Sequence, residues 1–362
     1  MPQSRPAVTD EAMPAKALIA MSGGVDSSVA AALMLEQGYA CIGVTLKLYS
    51  GGSGCSSAQE LNDAEKIASC LGIPHHVLDY SAEFDEKVIR RFITVYEQGE
   101  TPNPCVMCNR HIKFNMALLR SHQLEFDCIV TGHYARVERD PVSGRFLLRK
   151  AHNAAKDQSY VLYSLDQEQL RFARFPLGEL SKQEVRKIAG ERKFPNSEKG
   201  ESQDICFVPG GGYGDFIEAF TGRVWPPGDI IDPEGNLLGR HRGIIRYTIG
   251  QRRGLGVAAN VPLYVAAKSV TGNTVTLGPD SSLYRKNLIA KDINLIACGR
   301  LDKPLRVTVK TRYMQNEQSA VVEQRGENEL YIEFDSPQRA ITPGQAAVMY
   351  DGDIVVGGGT IV

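Results

Sequence analysis

The chain has 362 residues, of which 43% are hydrophobic and 23% charged, and its formal net charge is −1. This length predicts two or three domains, and the composition excludes a disordered or collagen-like chain. No apolar run approaches the roughly 18 residues of a membrane span, and residues 1–16 lack the apolar core of a secretory signal. We therefore expect a cytoplasmic protein without membrane association, with a flexible tail over residues 1–14.

Short apolar strands alternate with helix patterns in the first third of the chain. Strands are predicted at 17–21, 40–49, 75–80 and 127–131, and helices at 26–37, 57–71, 82–97 and 111–123. The strands are continuously apolar, as is typical of parallel strands covered on both faces. The pattern predicts an α/β fold with a Rossmann-like, doubly wound parallel sheet.

A hairpin and two helices are predicted to follow this sheet. The hairpin spans 135–150 and turns at Asp140–Gly144, and the helices cover 158–170 and 181–193. Ser181 and Glu184 have the spacing of a capping box, which indicates where the second helix begins.

The character of the sequence changes near Pro209–Gly212. Beyond it Gly and Pro are frequent and the strands are short and alternating, for example at 264–267, 274–277, 305–310, 319–323 and 330–334. This predicts a small mixed β domain followed by a C-terminal β-barrel. We expect a catalytic domain over 15–209, a central mixed β domain over 210–286 and the barrel over 287–362.

A glycine-rich loop, Ser22-Gly23-Gly24-Val25-Asp26-Ser27, joins the first predicted strand to the first predicted helix. Glycines let the backbone approach a phosphate, and the first N–H groups of the helix point at the same place. The loop lacks the lysine of a Walker A motif and instead resembles the PP-loop of the ATP pyrophosphatases. Those enzymes split ATP into AMP and pyrophosphate and adenylate a carbonyl oxygen. The alternative is an ordinary glycine turn, with Asp26 and the serines as capping residues.

Three cysteines have a context that suggests chemistry. Cys105 and Cys108 form a CxxC inside 101–109, where two prolines predict a stiff, irregular segment ahead of the next helix. A CxxC is compatible with a redox disulfide, with two metal ligands, or with a nucleophile beside a bystander. Cys206 lies in 201–208, which we predict to be a mobile loop, and a cysteine there could supply the nucleophile that an activated carbonyl needs.

Together the motifs resemble the bacterial tRNA-specific 2-thiouridylase family (MnmA, also called TrmU). The matching segments keep their order over nearly the whole chain and are 20–27, 101–104 with 108–109, 131–134, 156–160, 202–206, 247–254 and 342–345.

The resemblance implies a tRNA-uridine 2-sulfurtransferase. In this family ATP adenylates C2 of the wobble uridine in the tRNAs for Lys, Glu and Gln, and sulfur from a cysteine persulfide then replaces the oxygen. The resemblance makes Cys108 the first catalytic cysteine and Cys206 the one that receives sulfur from a relay protein or a cysteine desulfurase. Asp26, the only acid of the loop, is our candidate to organise Mg²⁺ or the pyrophosphate.

The resemblance also implies two sets of binding residues. Those for ATP are Ala20, Met21, Ser22, Gly23, Gly24, Val25, Asp26, Ser27, Leu46 and Gly132. Those for tRNA are His133, Lys156, Asp157, Gln158, Arg312, Tyr313 and Gln345. From the local excess of basic residues, Arg252 and Arg253 are further candidates for tRNA phosphate contacts.

One residue departs from the family pattern. Well-known members carry Asp where this chain has Cys105, and that Asp is interpreted as a base that assists the catalytic cysteine. Cys105, Cys108 and Cys206 form a set of three thiols, which suits a [4Fe–4S] cluster with one open iron. This cluster is the alternative to the persulfide route, and we prefer the persulfide route because the rest of the chain follows the family. Three further interpretations stay open: another PP-loop adenylating enzyme, a nucleotide- and RNA-binding regulator without turnover, and a redox or metal-binding protein.

Overall fold

The structure is a computed structural model that describes residues 14–49, 57–115, 126–200, 205–208 and 212–362. Seven strands precede residue 200: β1 (Lys16–Ala20), β2 (Ala40–Lys47), β3 (His75–Asp79), β4 (Cys128–Val130), β5 (Ala135–Arg139), β6 (Phe146–Lys150) and β7 (Ala173–Arg174). Five of them form a parallel sheet in the order β3-β2-β1-β4-β7. The predicted parallel sheet is confirmed, and β5 and β6 form the predicted hairpin.

Helices alternate with these strands. They are α1 (Val25–Glu36), α2 (Ala58–Leu71), α3 (Ser81–Phe84), α4 (Arg90–Glu97), α5 (Pro104–Cys108), α6 (Ser159–Leu162), α7 (Gln167–Phe172) and α8 (Lys182–Glu191). A 3₁₀ turn covers Ala154–Lys156, and π-helical turns cover Asp85–Ile89 and Asn109–Lys113. Of the helix predicted at 111–123, residues 116–123 lie outside the described residues. The helix predicted at 158–170 is two short helices, because α7 begins anew at the capping residue Asp166.

Small side chains let α1 pack closely against the sheet and α8. Ala30, Ala31 and Ala32 are fully buried in a cluster that also contains Ile19 and Val185. The predicted capping box of α8 is confirmed: Ser181 Oγ accepts from the backbone N–H of Glu184, and the Glu184 carboxylate accepts from that of Ser181. Together these contacts set α8 beside the loop that precedes α1.

The expectation that Cys105 and Cys108 lie in an irregular segment is wrong. Both belong to α5, because Pro104 occupies its first turn, where no intrahelical N–H is required. Asn103 caps this helix, with its side-chain oxygen accepting from the backbone N–H of Val106. The prolines therefore fix the start of a helix instead of preventing one.

The central β domain begins with α9 (Tyr213–Thr221). Its four strands are β8 (Gly228–Ile231), β9 (Leu237–His241), β10 (Tyr264–Ser269) and β11 (Thr274–Gly278), in the order β10-β11-β8-β9. The β11–β8 pair is parallel and the other two pairs are antiparallel, so this is the mixed β domain that the sequence predicts. Short 3₁₀ helices cover Ile244–Arg246 and Asp280–Leu283.

The C-terminal strands close into a six-stranded antiparallel barrel, as predicted. They are β12 (Tyr284–Leu295), β13 (Leu305–Lys310), β14 (Gln318–Gln324), β15 (Glu329–Arg339), β16 (Ala346–Asp351) and β17 (Ile354–Ile361). The order is β12-β15-β14-β13-β16-β17, and pairing of β17 with β12 closes the barrel. β17 also pairs with β6 at Ile354 and Arg149, which attaches the hairpin of the catalytic domain to the barrel.

Two sequence predictions fall on undescribed positions. The boundary between the catalytic and central domains, predicted at residues 209 and 210, lies outside the described residues, as does nearly all of the predicted tail. Within the described part of the chain, no helix combines the length and the apolar character needed to cross a membrane.

Candidate active site

The glycine-rich loop lies at the carboxyl edge of the parallel sheet. It follows β1, the strand from which the chain runs outward to β2 and β3 on one side and later to β4 on the other. Open α/β sheets bind ligands where the strand order reverses in this way. Gly132 follows the neighbouring β4 and Leu46 lies near the end of β2. The predicted ATP residues are therefore brought to one edge of one sheet.

The loop is held in one conformation by contacts that leave little space around its glycines. Gly23 has a φ of +71°, and a side chain there would collide with the backbone carbonyl of Glu60. At Gly132 a Cβ would lie 2.8 Å from the backbone nitrogen of Ser27, so β4 can approach α1 only through a glycine. Ser27 Oγ accepts from the Ser22 backbone N–H at 3.2 Å and donates to the Gly24 carbonyl at 3.0 Å. The loop is thus pre-shaped with N–H groups at the start of α1, as an anion site requires.

Asp26 has two direct partners that the sequence did not predict. Its Oδ1 accepts a hydrogen bond from Lys182 Nζ at 2.7 Å and another from the Tyr134 hydroxyl at 2.8 Å. The ion pair is largely buried on the lysine side, whose side chain is 14% exposed. Lys182 is the first residue of α8. Tyr134 ends the 131–134 motif, in which the sequence assigned roles to Gly132 and His133 but none to Tyr134.

A second lysine approaches the loop from the segment after α8. Lys199 Nζ lies 2.9 Å from Asp63 Oδ2 and 3.4 Å from the Gly23 carbonyl. Asn196 donates to that same carbonyl at 3.1 Å and to Ser28 Oγ at 3.0 Å. Neither residue belongs to a motif, so nothing in the sequence indicated their place at the loop.

The two predicted catalytic cysteines are carried by segments that pack into one hydrophobic cluster. Cys108 is 8% exposed within this cluster, and the half-buried Cys206 packs against it. Phe207, next to Cys206, is fully buried and makes edge-on ring contacts with Phe84 at 5.7 Å and Phe92 at 5.2 Å. Residues 201–204 of the predicted mobile loop lie outside the described residues. The buried ring fixes the described end of that loop against α3 and α4.

The three thiols do not have the arrangement of an iron–sulfur site. Over the described ranges, no three His, Cys, Asp or Glu side chains lie together in a way that could hold a metal ion. Cys105 is exposed whereas Cys108, on the same short helix, is buried. The residues present therefore do not fit a [4Fe–4S] cluster in this arrangement.

His133 and Gln158, both predicted to face tRNA, lie beside the sheet edge. His133 Nδ1 is 2.7 Å from Thr131 Oγ1, and its ring lies against Phe114 and Phe175. Burial, reinforced by the charge of Lys113, holds the pKa of His133 well below its usual range, so the ring is neutral near pH 7. The Gln158 side chain accepts from the Tyr134 backbone N–H at 2.9 Å.

Asp157 has a structural environment although the resemblance assigns it to tRNA binding. It is 7% exposed, and its carboxylate accepts from the backbone N–H groups of Ala151 and Ser159 and from the Ser159 hydroxyl. Lys156, one residue earlier, is half-buried at the end of its 3₁₀ turn. The hydrogen bonds of Asp157 therefore hold the end of this 3₁₀ turn in place, and with it the position of Lys156.

Three predicted tRNA residues of the barrel lie where the domains meet. Gln345 donates to the carbonyls of Thr101 and Pro102 at 2.8 and 3.1 Å. Arg312 donates to the Ile249 carbonyl of the central domain and to Thr342 Oγ1 of the barrel. Tyr313 has its ring 5.9 Å from that of Tyr160. Gln345 and Arg312 thus connect the barrel to the segment ahead of the cysteine helix and to the central domain.

Three protein families match successive parts of the chain. Residues 15–210 match "tRNA methyl transferase HUP domain", residues 214–279 "tRNA methyl transferase PRC-barrel domain" and residues 285–361 "Aminomethyltransferase beta-barrel domain". A solved 4-thiouridine synthetase–RNA complex with bound ATP is 18% identical with a TM-score of 0.37, over 53% of this chain and 44% of that one, a likeness too low to support a conclusion.

Curated relatives match over almost their entire length. The tRNA-specific 2-thiouridylase MnmA of Clostridioides difficile is 46% identical over 96% of this chain and 98% of its own. The protein of the same name from Moorella thermoacetica is 48% identical over 95% of this chain and 98% of its own. The chain belongs to the tRNA-specific 2-thiouridylase (MnmA) family.

Proposed function

We propose that the protein is a tRNA-uridine 2-sulfurtransferase that uses ATP to convert the C2 oxygen of the wobble uridine to sulfur. Family membership over nearly the full chain supports the overall reaction. The observation that carries the mechanism is the placement of a pre-shaped glycine loop at the sheet edge together with two cysteine segments in one cluster. The tRNAs for Lys, Glu and Gln are the proposed substrates, and the reaction is proposed to take place in the cytoplasm.

The loop is proposed to hold the phosphates of ATP. Backbone N–H groups at the start of α1, together with Ser22 and Ser27, would bind phosphate oxygens. Mg²⁺, when bound to these phosphates, would neutralise part of their charge, and Asp26 is its candidate protein ligand. Lys182 and Tyr134 orient the Asp26 carboxylate through its Oδ1. The uracil O2 then attacks the α-phosphorus, pyrophosphate leaves, and C2 carries AMP as a leaving group.

Sulfur transfer is proposed to follow from a persulfide on Cys206. A sulfur relay protein or cysteine desulfurase supplies the sulfane sulfur. In one order of events the terminal sulfur attacks C2 and AMP leaves with the former O2. The Cys108 thiolate then attacks Cys206 Sγ, which breaks the Sγ–S bond and releases the 2-thiouridine sulfur as the leaving group. In the other, Cys108 attacks first and releases sulfide, which then attacks C2. Both routes end with a Cys108–Cys206 disulfide, which a thiol reductant must reduce before the next turnover.

The target base must leave the anticodon stack to reach this site. The residues proposed to contact tRNA remain His133, Lys156, Asp157, Gln158, Arg312, Tyr313 and Gln345. Four of them, Asp157, Gln158, Arg312 and Gln345, already have partners within the protein. Their proposed contribution is therefore to shape the tRNA surface as well as to contact tRNA.

The deciding experiment combines two measurements on one reaction. Unmodified tRNA for Lys, ATP and a persulfide donor are incubated with the protein, and both pyrophosphate and 2-thiouridine are quantified. We expect tRNA-dependent pyrophosphate release and thiolation of the wobble base. Cys108→Ser and Cys206→Ser should each abolish thiolation and retain nucleotide binding, because the nucleotide loop belongs to the sheet and not to the cysteine cluster. Full thiolation by Cys206→Ser would refute the proposed sulfur path.

Two alternatives give different results. A regulator without turnover would bind tRNA and nucleotide but release no pyrophosphate. A cluster route through Cys105, Cys108 and Cys206 would require iron and sulfide in protein purified anaerobically. An active, iron-free protein would support the persulfide route, which the exposed Cys105 and buried Cys108 favour.

A further inference from the structure

Lys199 lies beside the nucleotide loop without belonging to it. It is seven positions before Cys206, and its ammonium group contacts both Asp63 on α2 and the Gly23 carbonyl. Its side chain is 32% exposed, whereas that of Asp63 is 15% exposed. Although burial acts in the opposite direction, hydrogen bonds from Lys199 and Gln59 lower the pKa of Asp63, so this carboxylate is charged at neutral pH. A partly exposed ammonium group therefore stands at the edge of the proposed phosphate site.

Asn196 gives a second, independent sign that this side of the loop faces a ligand. The residue is 5% exposed, and its Nδ2 is held by the Gly23 carbonyl and Ser28 Oγ. Its Oδ1 is buried and has no hydrogen-bond partner among the residues that the structure describes. Buried acceptors are normally satisfied, and leaving one unpaired is unfavourable. A donor from outside the chain, such as an ordered water of the occupied site, would satisfy it.

We propose that Lys199 is a phosphate-binding residue that exchanges Asp63 for a phosphate oxygen of the bound nucleotide, with Asn196 anchoring its segment to the loop. This rests on the proposed use of ATP and extends it to residues outside the glycine-loop motif. Lys182 is paired with Asp26, and its side chain is only 14% exposed. Lys199 has the more exposed ammonium group, and a triphosphate carries several negative charges where Asp63 offers one.

Measuring nucleotide affinity distinguishes a phosphate-binding role of Lys199 from a purely structural role. The probe is α,β-methylene-ATP, measured by calorimetry, with adenosine as the ligand that lacks phosphates. We expect Lys199→Gln to weaken binding of the analogue about tenfold or more and leave adenosine unchanged, and Lys199→Arg to restore most of the affinity. Asp63→Asn, which keeps the shape and frees the ammonium group, should bind the analogue at least as well as the wild type. Lys187→Gln is the matched control, since Lys187 on α8 is 74% exposed and its ion pair is with Glu191 on the same helix.

The contrary outcomes are distinct. If Lys199→Gln and Asp63→Asn weaken binding of the analogue equally, the Lys199–Asp63 ion pair has a structural role only and the inference is wrong. If Lys199→Gln binds the analogue like the wild type, the inference is wrong while the proposed function stands. If the wild type binds neither ligand and releases no pyrophosphate with tRNA, the proposed function fails and this inference fails with it. Thermal unfolding of each variant shows whether a loss of binding reflects loss of the fold.

Discussion

At the residue scale, Gly132 decides how closely β4 can approach α1. A Cβ there would lie 2.8 Å from both the Asp26 carbonyl carbon and the Ser27 nitrogen, and no flexible side chain could yield. We expect Gly132→Ala to displace the start of α1 and to weaken nucleotide binding at least tenfold. Gly190→Ala is the control, because Gly190 lies inside α8 with nothing within 4 Å of its Cβ position. That change should stabilise the protein by about 0.5–1 kcal/mol, and calorimetric binding with thermal unfolding checks both expectations.

A substitution of Asp26 tests whether the glycine-rich loop takes part in the adenylation step. We expect Asp26→Ala to lower tRNA-dependent pyrophosphate release at least about 100-fold, the loss typical when a group that organises the reacting charge is removed. The change also removes the carboxylate that neutralises the mostly buried Lys182, so stability should fall as well. The double variant Asp26→Ala, Lys182→Met removes the uncompensated charge and should recover stability without recovering activity. Normal pyrophosphate release by Asp26→Ala would remove Asp26 from the mechanism.

At the element scale, α5 presents its two cysteines differently. Cys105 is exposed in the first turn and Cys108 is buried in the cluster. A carboxylate in the first turn of a helix is favourable, so Cys105→Asp should fold normally and reproduce the more common family residue. We expect this variant to keep thiolation within about threefold of the wild type (a change of about 0.7 kcal/mol) and to contain no less iron than the wild type. Loss of both iron and activity would instead indicate a cluster.

α5 also shows what the sequence can and cannot predict. The hydrophobic periods of β1, α1, α2 and α8 were strong enough to place them within a residue or two. The Pro-rich segment was misjudged because the same residue breaks a helix from inside and favours its first turn. The loop motif revealed the nucleotide site, but the Asp26–Lys182 pair joins residues 156 positions apart, and no local pattern encodes such a contact.

At the scale of the whole molecule, the three domains meet at the segment ahead of α5. The Thr101 backbone N–H donates to the Pro343 carbonyl at 2.9 Å, and Thr101 Oγ1 lies 3.4 Å from Thr248 Oγ1 in the central domain. Gln345 holds the other side of this segment. Hydrogen bonds therefore join the segment ahead of the cysteine helix directly to the barrel and to the central domain.

The basic residues at this scale fall into two kinds. Arg252 and Arg253 are exposed, whereas Arg312 is half-buried. Its burial, together with the nearby charge of Arg339, lowers the pKa of Arg312. We expect tRNA affinity to fall steeply with salt, and Arg252→Gln or Arg253→Gln to reduce the salt slope by about one each. Arg312→Gln should instead lower thermal stability, because three acceptors from two domains lose their donor. Filter binding at several salt concentrations measures the slopes, and a flat profile would indicate a merely solvated basic surface.

Lys268 makes the joint between the catalytic and central domains sensitive to pH. It lies on β10, donates to the Tyr247 carbonyl at 2.7 Å and interacts electrostatically with Glu100. Burial raises the pKa of Glu100, although the charge of Lys268 acts in the opposite direction. Burial lowers the pKa of Lys268 to about 8 from the ordinary 10.5, against the opposing effect of Glu100. Between these two values the unfolded chain binds more protons than the folded one, so this group makes stability rise with pH.

The comparison with Lys268→Met isolates that effect. Below pH 8 the folded state carries a buried ammonium group at a cost, and above about pH 10.5 both states are neutral and the cost is gone. The stability of the wild type relative to Lys268→Met should therefore increase from pH 8 to pH 10 by on the order of 2 kcal/mol. Urea unfolding at pH 7, 8.5 and 10 measures the difference, and Lys286→Met, at an exposed barrel position, is the control that should show no such trend. A constant difference across this range would mean that Lys268 titrates normally and that the joint does not respond to pH.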